Sequence, residues 1–148
     1  MQAEDQITGF IDKFAPAKRE RIRACRARLA ARFPDAVQLV YDNYNFFVIG
    51  FGPTDRTSDA VFSLACHKNG INLFFLQRGP ELPDPAGMLR GSGKVVRHLP
   101  VSAPEDLDAP EVTALIEAAL AIARIPLDAS AGRQVIVKSV SEKQRPRR

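Results

Sequence analysis

Four short runs between residues 37 and 76 constrain this chain most. Residues 37–41, 46–51, 60–67 and 71–76 are rich in β-branched and aromatic side chains, and each is bounded by turn chemistry. Asp42-Asn43 stands between the first two runs, and a polar loop over 52–59 separates the second from the third. Asn69-Gly70 divides the last two, the strongest short-range hairpin signal a sequence can carry. Strands joined this closely form antiparallel hairpins, so the middle of the chain is expected to be a sheet.

The last turn also predicts a register. With Asn69 and Gly70 as the central turn residues, Lys68 faces Ile71, Cys66 faces Leu73 and Leu64 faces Phe75. Phe62, Leu64 and Cys66 then share a core face. Ser63, Ala65 and His67 lie on the other face with Asn72, Phe74 and Leu76, a half-apolar surface that helices or a ligand must partly cover.

Helical patterns flank the sheet. Residues 4–14 and 17–33 read as two helices parted by Ala15-Pro16, and Ile22, Cys25, Leu29 and Phe33 form an apolar stripe on the second. Its other faces carry Lys18, Arg19, Arg21, Arg23, Arg26, Arg28 and Arg32, either a solvated surface or a docking face for an acidic partner. Residues 79–95, with three prolines and four glycines, form a long loop of the kind that often carries function. A short strand over 95–101, a helix over 110–124 with Val112, Leu115, Ile116 and Ala119 inward, and an edge strand over 134–140 complete the pattern. The expected fold is α+β: an antiparallel sheet of about five strands packed with two N-terminal helices and one C-terminal helix. Residues 1–137 form a single domain, and 138–148 a basic, frayed tail.

Charge supports that division. The net charge is +4, and all of it lies in residues 138–148; residues 1–137 hold 16 basic and 16 acidic side chains. No aromatic residues interleave with the helix cations to stack on bases, so specific nucleic-acid binding is not expected. No apolar run approaches the roughly 20 residues of a membrane-spanning helix, and the acidic start Met1-Gln2-Ala3-Glu4-Asp5 is unlike a signal peptide. A cytoplasmic domain is the expectation, with Cys25 and Cys66 as buried thiols rather than a disulfide.

Residues 87–98 concentrate three glycines, three cations and a histidine. Gly91-Ser92-Gly93-Lys94 fails as a Walker loop, because Met88 stands at the first glycine position and Val95 follows Lys94 where a hydroxyl must hold magnesium. A looser anion site built from amides, Lys94 and Arg97 remains open. Ser92 lacks the Gly-x-Ser-x-Gly elbow, and no nucleophile, base and orienting group can be assembled. Adjacent Cys66 and His67 point to opposite sheet faces, and there is no Cys-x-x-Cys or His-x-x-x-His pair for a metal. Tyr41-Asp42-Asn43-Tyr44-Asn45-Phe46-Phe47 mixes hydrogen-bonding groups with aromatic surface, as a tight turn or a small-molecule pocket would.

Several segments also occur in a recognisable order. They are Phe33-Pro34-Asp35-Ala36 before the first strand, the hairpin with Leu73-Phe74-Phe75, and then Leu82-Pro83-Asp84-Pro85. Leu89, Gly91-Ser92-Gly93-Lys94, Val96-Arg97-His98 and Leu107-Asp108 follow. In these the chain resembles the YdhG-like domain, a bacterial family of unknown function, over about residues 20–123. The resemblance implies helices at both ends packed on an antiparallel sheet, and through one branch it implies iron handling in the manner of frataxin. The chain departs from the family pattern at Asp42-Asn43-Tyr44-Asn45 and at Gly70, and its early helix is basic where frataxin-type iron binding uses acidic residues.

The functional expectation is a non-catalytic protein, without a cofactor, that binds a small anionic ligand. Its site lies where the 42–45 turn meets residues 94–98: Lys94 and Arg97 hold the anion, His98 hydrogen-bonds it, and Tyr44 and Asn45 line the wall. An iron carrier and a protein-interaction module using helix 18–32 are the alternatives.

Overall fold

A computed structural model of the chain describes residues 2–127 and 132–148. Helices α1 (Ala3–Asp12) and α2 (Pro16–Arg32) precede strands β1 (Val37–Asp42), β2 (Phe47–Gly52), β3 (Phe62–His67), β4 (Gly70–Phe75) and β5 (Arg97–Val101); α3 (Pro110–Ile122) and β6 (Val135–Val140) follow. The strand order is β5-β4-β3-β2-β1-β6. The fold is α+β, as expected, with six strands. One expectation changes: β6 lies at the sheet edge but runs parallel to β1, because the connection through α3 carries the chain from one edge of the sheet to the other.

Period-two alternation makes the two faces of the sheet chemically distinct. Val40, Ile49, Leu64, Leu73 and Leu99 form one continuous inward row across five strands, and all are at most 1% exposed. A parallel row runs through Phe51, Phe62 and Phe75. The helices cover this face: Phe10 and Phe14 of the α1 region pack on Phe47 with ring centroids 6.0 and 6.3 Å apart, and Phe33 packs on Phe62 at 5.3 Å. Burying each such side chain contributes about 1.5–3 kcal/mol. Cys25 and Cys66 are free, buried thiols within this core.

The opposite face is covered in part by the Thr57–Asp59 turn, whose Thr57 Oγ1 meets the Tyr41 hydroxyl at 2.7 Å. The rows of this face are Leu39, Gly50, Ser63, Phe74 and His98, and Tyr41, Val48, Ala65, Asn72 and Pro100. The predicted hairpin faces are therefore right, but the register differs by two residues: Cys66 pairs with Ile71, and His67 with Gly70. Neither Asn69 nor Gly70 adopts positive φ, so this pair does not form the primed turn that its composition favours. Lys68 and Asn69 are central instead, and the Asn69 amide donates to His67 Nδ1 at 3.3 Å. A two-residue shift keeps every side chain on its face, which is why the hydrophobic pattern alone could not detect it.

The tail also differs from the expectation of a frayed end. Lys138, Ser139 and Val140 belong to β6, and the chain then folds back over the β1–β2 turn. Ser141 N and Gln144 Nε2 donate to Asp42 O at 2.8 and 2.9 Å, and Arg145 N donates to Tyr44 O at 2.8 Å. Arg147 is 4% exposed and donates to Asp42 Oδ1 at 3.0 Å and to Asn43 O at 2.6 Å. The cause is Asp42 itself, an inward-facing carboxylate that is fully buried and needs donors.

Candidate functional site

Two cavities compete. The larger, about 620 Å³, lies between Phe33–Ala36 and the end of α3, beside Leu127, and is mainly apolar. The second, about 560 Å³, lies on the open sheet face. Chemistry favours the second. It contains both histidines of the chain, two cations and three asparagines, and no carboxylate lines it among the described residues.

The cavity is elongated, and its ends differ. At the turn end Lys68 and Asn69 face Asn45 and Arg145. Arg145 Nε donates to Asn45 Oδ1 at 2.8 Å, and its guanidinium lies 5.5 Å from the Tyr44 ring centroid. Its two terminal nitrogens carry no hydrogen bond among the described residues. Phe46, 37% exposed, meets the His67 ring edge-on with centroids 5.7 Å apart. At the other end His98 stacks on Phe74 with centroids 4.8 Å apart and planes 21° apart. The backbone of His98 is fixed from its free edge by Arg90, which gives and receives hydrogen bonds of 2.7 and 3.0 Å. Asn72 lies between the two ends.

His67 pairs with Gly70 and His98 with Phe74, four residues further along β4. At about 3.3 Å per residue, the rows are about 13 Å apart along the strand. The imidazoles therefore serve different ends of a groove rather than one reacting atom.

The site expected from the sequence is only partly assembled. Asn45 and His98 line the cavity. Tyr44, 50% exposed, stands outside it and supports Arg145. Lys94 lines a different cavity with Arg78 and Arg124. Arg97 precedes His98 on β5, so it projects to the opposite face, and it folds its own loop by donating to Gly93 O and, at 2.9 Å, to Val96 O. Lys94 and Arg97 thus do not meet the 42–45 turn. The cations at this site are Lys68 and Arg145 instead.

The basic helix is largely used within the chain. Arg26 holds Glu4 through two 2.8 Å hydrogen bonds and Gln38 at 2.9 Å. Arg23 pairs with Asp12 at 3.0 Å, Arg28 with Asp108, and Arg19 and Arg32 donate to Phe14 O and Leu107 O. No group of three or more His, Cys, Asp and Glu that could hold a metal ion occurs among the described residues. Burial pushes the Cys25 thiol up to about 11 and the Cys66 thiol higher still, which leaves both poor nucleophiles.

The fold and the cavity together define an α+β domain with an open-faced sheet bearing a cationic, aromatic groove. Comparison with known protein families, curated proteins and solved structures gives no match. Among the described residues no helix is long and apolar enough to cross a membrane.

Proposed function

We propose that this protein binds a small anionic ligand, without catalysis, in the groove on the open face of its sheet. One observation carries the reading: Lys68, Arg145, His67 and His98 converge on a cavity of about 560 Å³ whose lining has no carboxylate among the described residues. Cations with free donors and no internal counter-ion favour an anion, and asparagine amides add directional hydrogen bonds. The motif order that resembles the YdhG-like domain is part of the same proposal.

Calorimetric titration with phosphate and small carboxylates, on wild type and on the Lys68→Ala/Arg145→Ala double variant, tests it. Wild type should bind at least one of these anions, and the double variant should lose that binding while keeping its thermal midpoint. Equal binding by the double variant, or no anion bound by wild type, would sink the proposal. Lys94→Ala/Arg97→Ala should leave binding intact, because neither side chain reaches the groove.

A further inference from the structure

We infer that the ligand is of the nucleoside monophosphate class, with its phosphate at the Lys68–Arg145 end of the groove and its base at the Phe74–His98 end. This rests on the anion-site reading above and adds the identity of the other half of the ligand.

The groove is differentiated along its length. Charge sits at the turn end, where Lys68 and Arg145 lie beside Asn45 and Asn69. A point anion such as phosphate would use only this end. Flat surface dominates the other end, where His98 and Phe74 are already stacked at 21° and present a platform suited to a third ring. Asn72 lies between, with a donor and an acceptor on one amide, the pairing that reads a base edge. The two ends belong to strand rows about 13 Å apart. Side chains reaching inward from each end leave a span suited to a ring joined to a phosphate through a sugar, and larger than a simple aromatic acid fills.

The experiment is a calorimetric titration with 5′-AMP, GMP, CMP and UMP, with the corresponding nucleosides, and with inorganic phosphate, on wild type and two variants. At least one nucleotide should bind about 10-fold or more tightly than both its nucleoside and phosphate. His98→Ala should remove that advantage and bring nucleotide affinity down towards that of phosphate, whereas Arg145→Ala should weaken nucleotide and phosphate alike. Circular dichroism and thermal midpoints confirm that both variants fold; should His98→Ala fail to, Phe74→Leu removes the other ring of the same stack and probes the base end in its place. Phosphate bound as tightly as every nucleotide would overturn the nucleotide assignment and leave the anion site standing. A nucleoside bound as tightly as its nucleotide would overturn it too. Binding of none of these, with simple carboxylates bound, would remove the nucleotide class alone; binding of no anion at all would remove both readings.

Discussion

Replacing Asp42 by asparagine should destabilise the protein far more than replacing its buried partner. Asp42 is 0% exposed and receives Lys13 Nζ at 2.7 Å on one oxygen and Arg147 Nη2 at 3.0 Å on the other. Asp42→Asn keeps the volume and removes the counter-charge. Lys13, with 42% of its side chain exposed, can turn to water, but Arg147 cannot do so without moving the tail. Two of its nitrogens, Nε and Nη1, already have no hydrogen-bond partner among the described residues. Removing one member of a buried ion pair costs about 3–5 kcal/mol when the other stays buried. The segment after β6 can detach and return Arg147 to water, which limits the cost to about 3 kcal/mol, the lower end of that range. For a chain of this length that is about 6–12 °C in the thermal midpoint.

Arg147→Met should behave differently. It leaves Asp42 paired with Lys13 and removes two unpartnered buried nitrogens, so its cost should stay within about 1 kcal/mol. The double variant should recover most of what Asp42→Asn alone loses, the signature of a coupled pair. Urea unfolding of the three variants reads all of this. Equal losses from Asp42→Asn and Arg147→Met, or additive losses in the double variant, would refute the reasoning.

Three other perturbations test separate parts of the structure. A methyl at Gly79 would stand 2.8 Å from Val95 O and 2.9 Å from Arg97 N, so Gly79→Ala should cost about 2–3 kcal/mol and speed amide exchange at residues 95–98. The Thr54 hydroxyl, with Arg124 beside it, holds the Asp59 carboxyl below the usual carboxylate range, and Arg78 does the same to Glu81. Stability from depressed carboxyls is present above their unfolded pKa and lost as pH falls through the folded one, so unfolding midpoints should drop on acidification below about pH 4. Thr54→Val should flatten that drop; an unchanged acid limb would show that Thr54 is not its cause. Burial raises the Cys25 thiol from 9.0 to about 11, so its contribution is intact below pH 9.0 and fades as pH rises towards 11. Both cysteines should resist a thiol reagent at pH 8 until denaturant is added, and rapid labelling of the native protein would contradict the buried placement.

The sheet was legible in the sequence because its alternation is strict. Phe62, Leu64 and Cys66 are inward and Ser63, Ala65 and His67 outward, and any even register preserves that. The turn was less legible. Asn69-Gly70 has the composition of a primed turn, yet the His67 imidazole accepts the Asn69 amide and the turn closes one residue earlier. The functional site was half legible for the same periodic reason. Phe74 and Asn72 fall on the face already expected to need covering, and His98 joins them across β5. The rule that sends Cys66 and His67 to opposite faces also separates Arg97 from His98, so grouping those two as one site overlooked a constraint present in the sequence. Arg145 was not accessible to local reasoning. Its position depends on a contact with Asn45, 100 residues earlier, and on a tail whose composition alone reads as solvated.

That tail gives the fold and the groove a common dependence on β1. The inward row of β1 carries two polar residues, Gln38 and Asp42, 1% and 0% exposed. Each is satisfied by an arginine from another segment: Gln38 by Arg26 of α2, and Asp42 by Arg147 of the tail together with Lys13. Apolar residues at these positions would pack as well but would not specify which segments dock there. Asp42 fixes Arg147, and with it the path that places Arg145, two residues earlier, at the rim of the groove on the other face of the sheet. A residue that faces the core thus positions a cation that faces the ligand. Arg147→Met would be expected to preserve stability while loosening Arg145, so anion affinity, rather than the thermal midpoint, is the observable through which the buried pair acts on function.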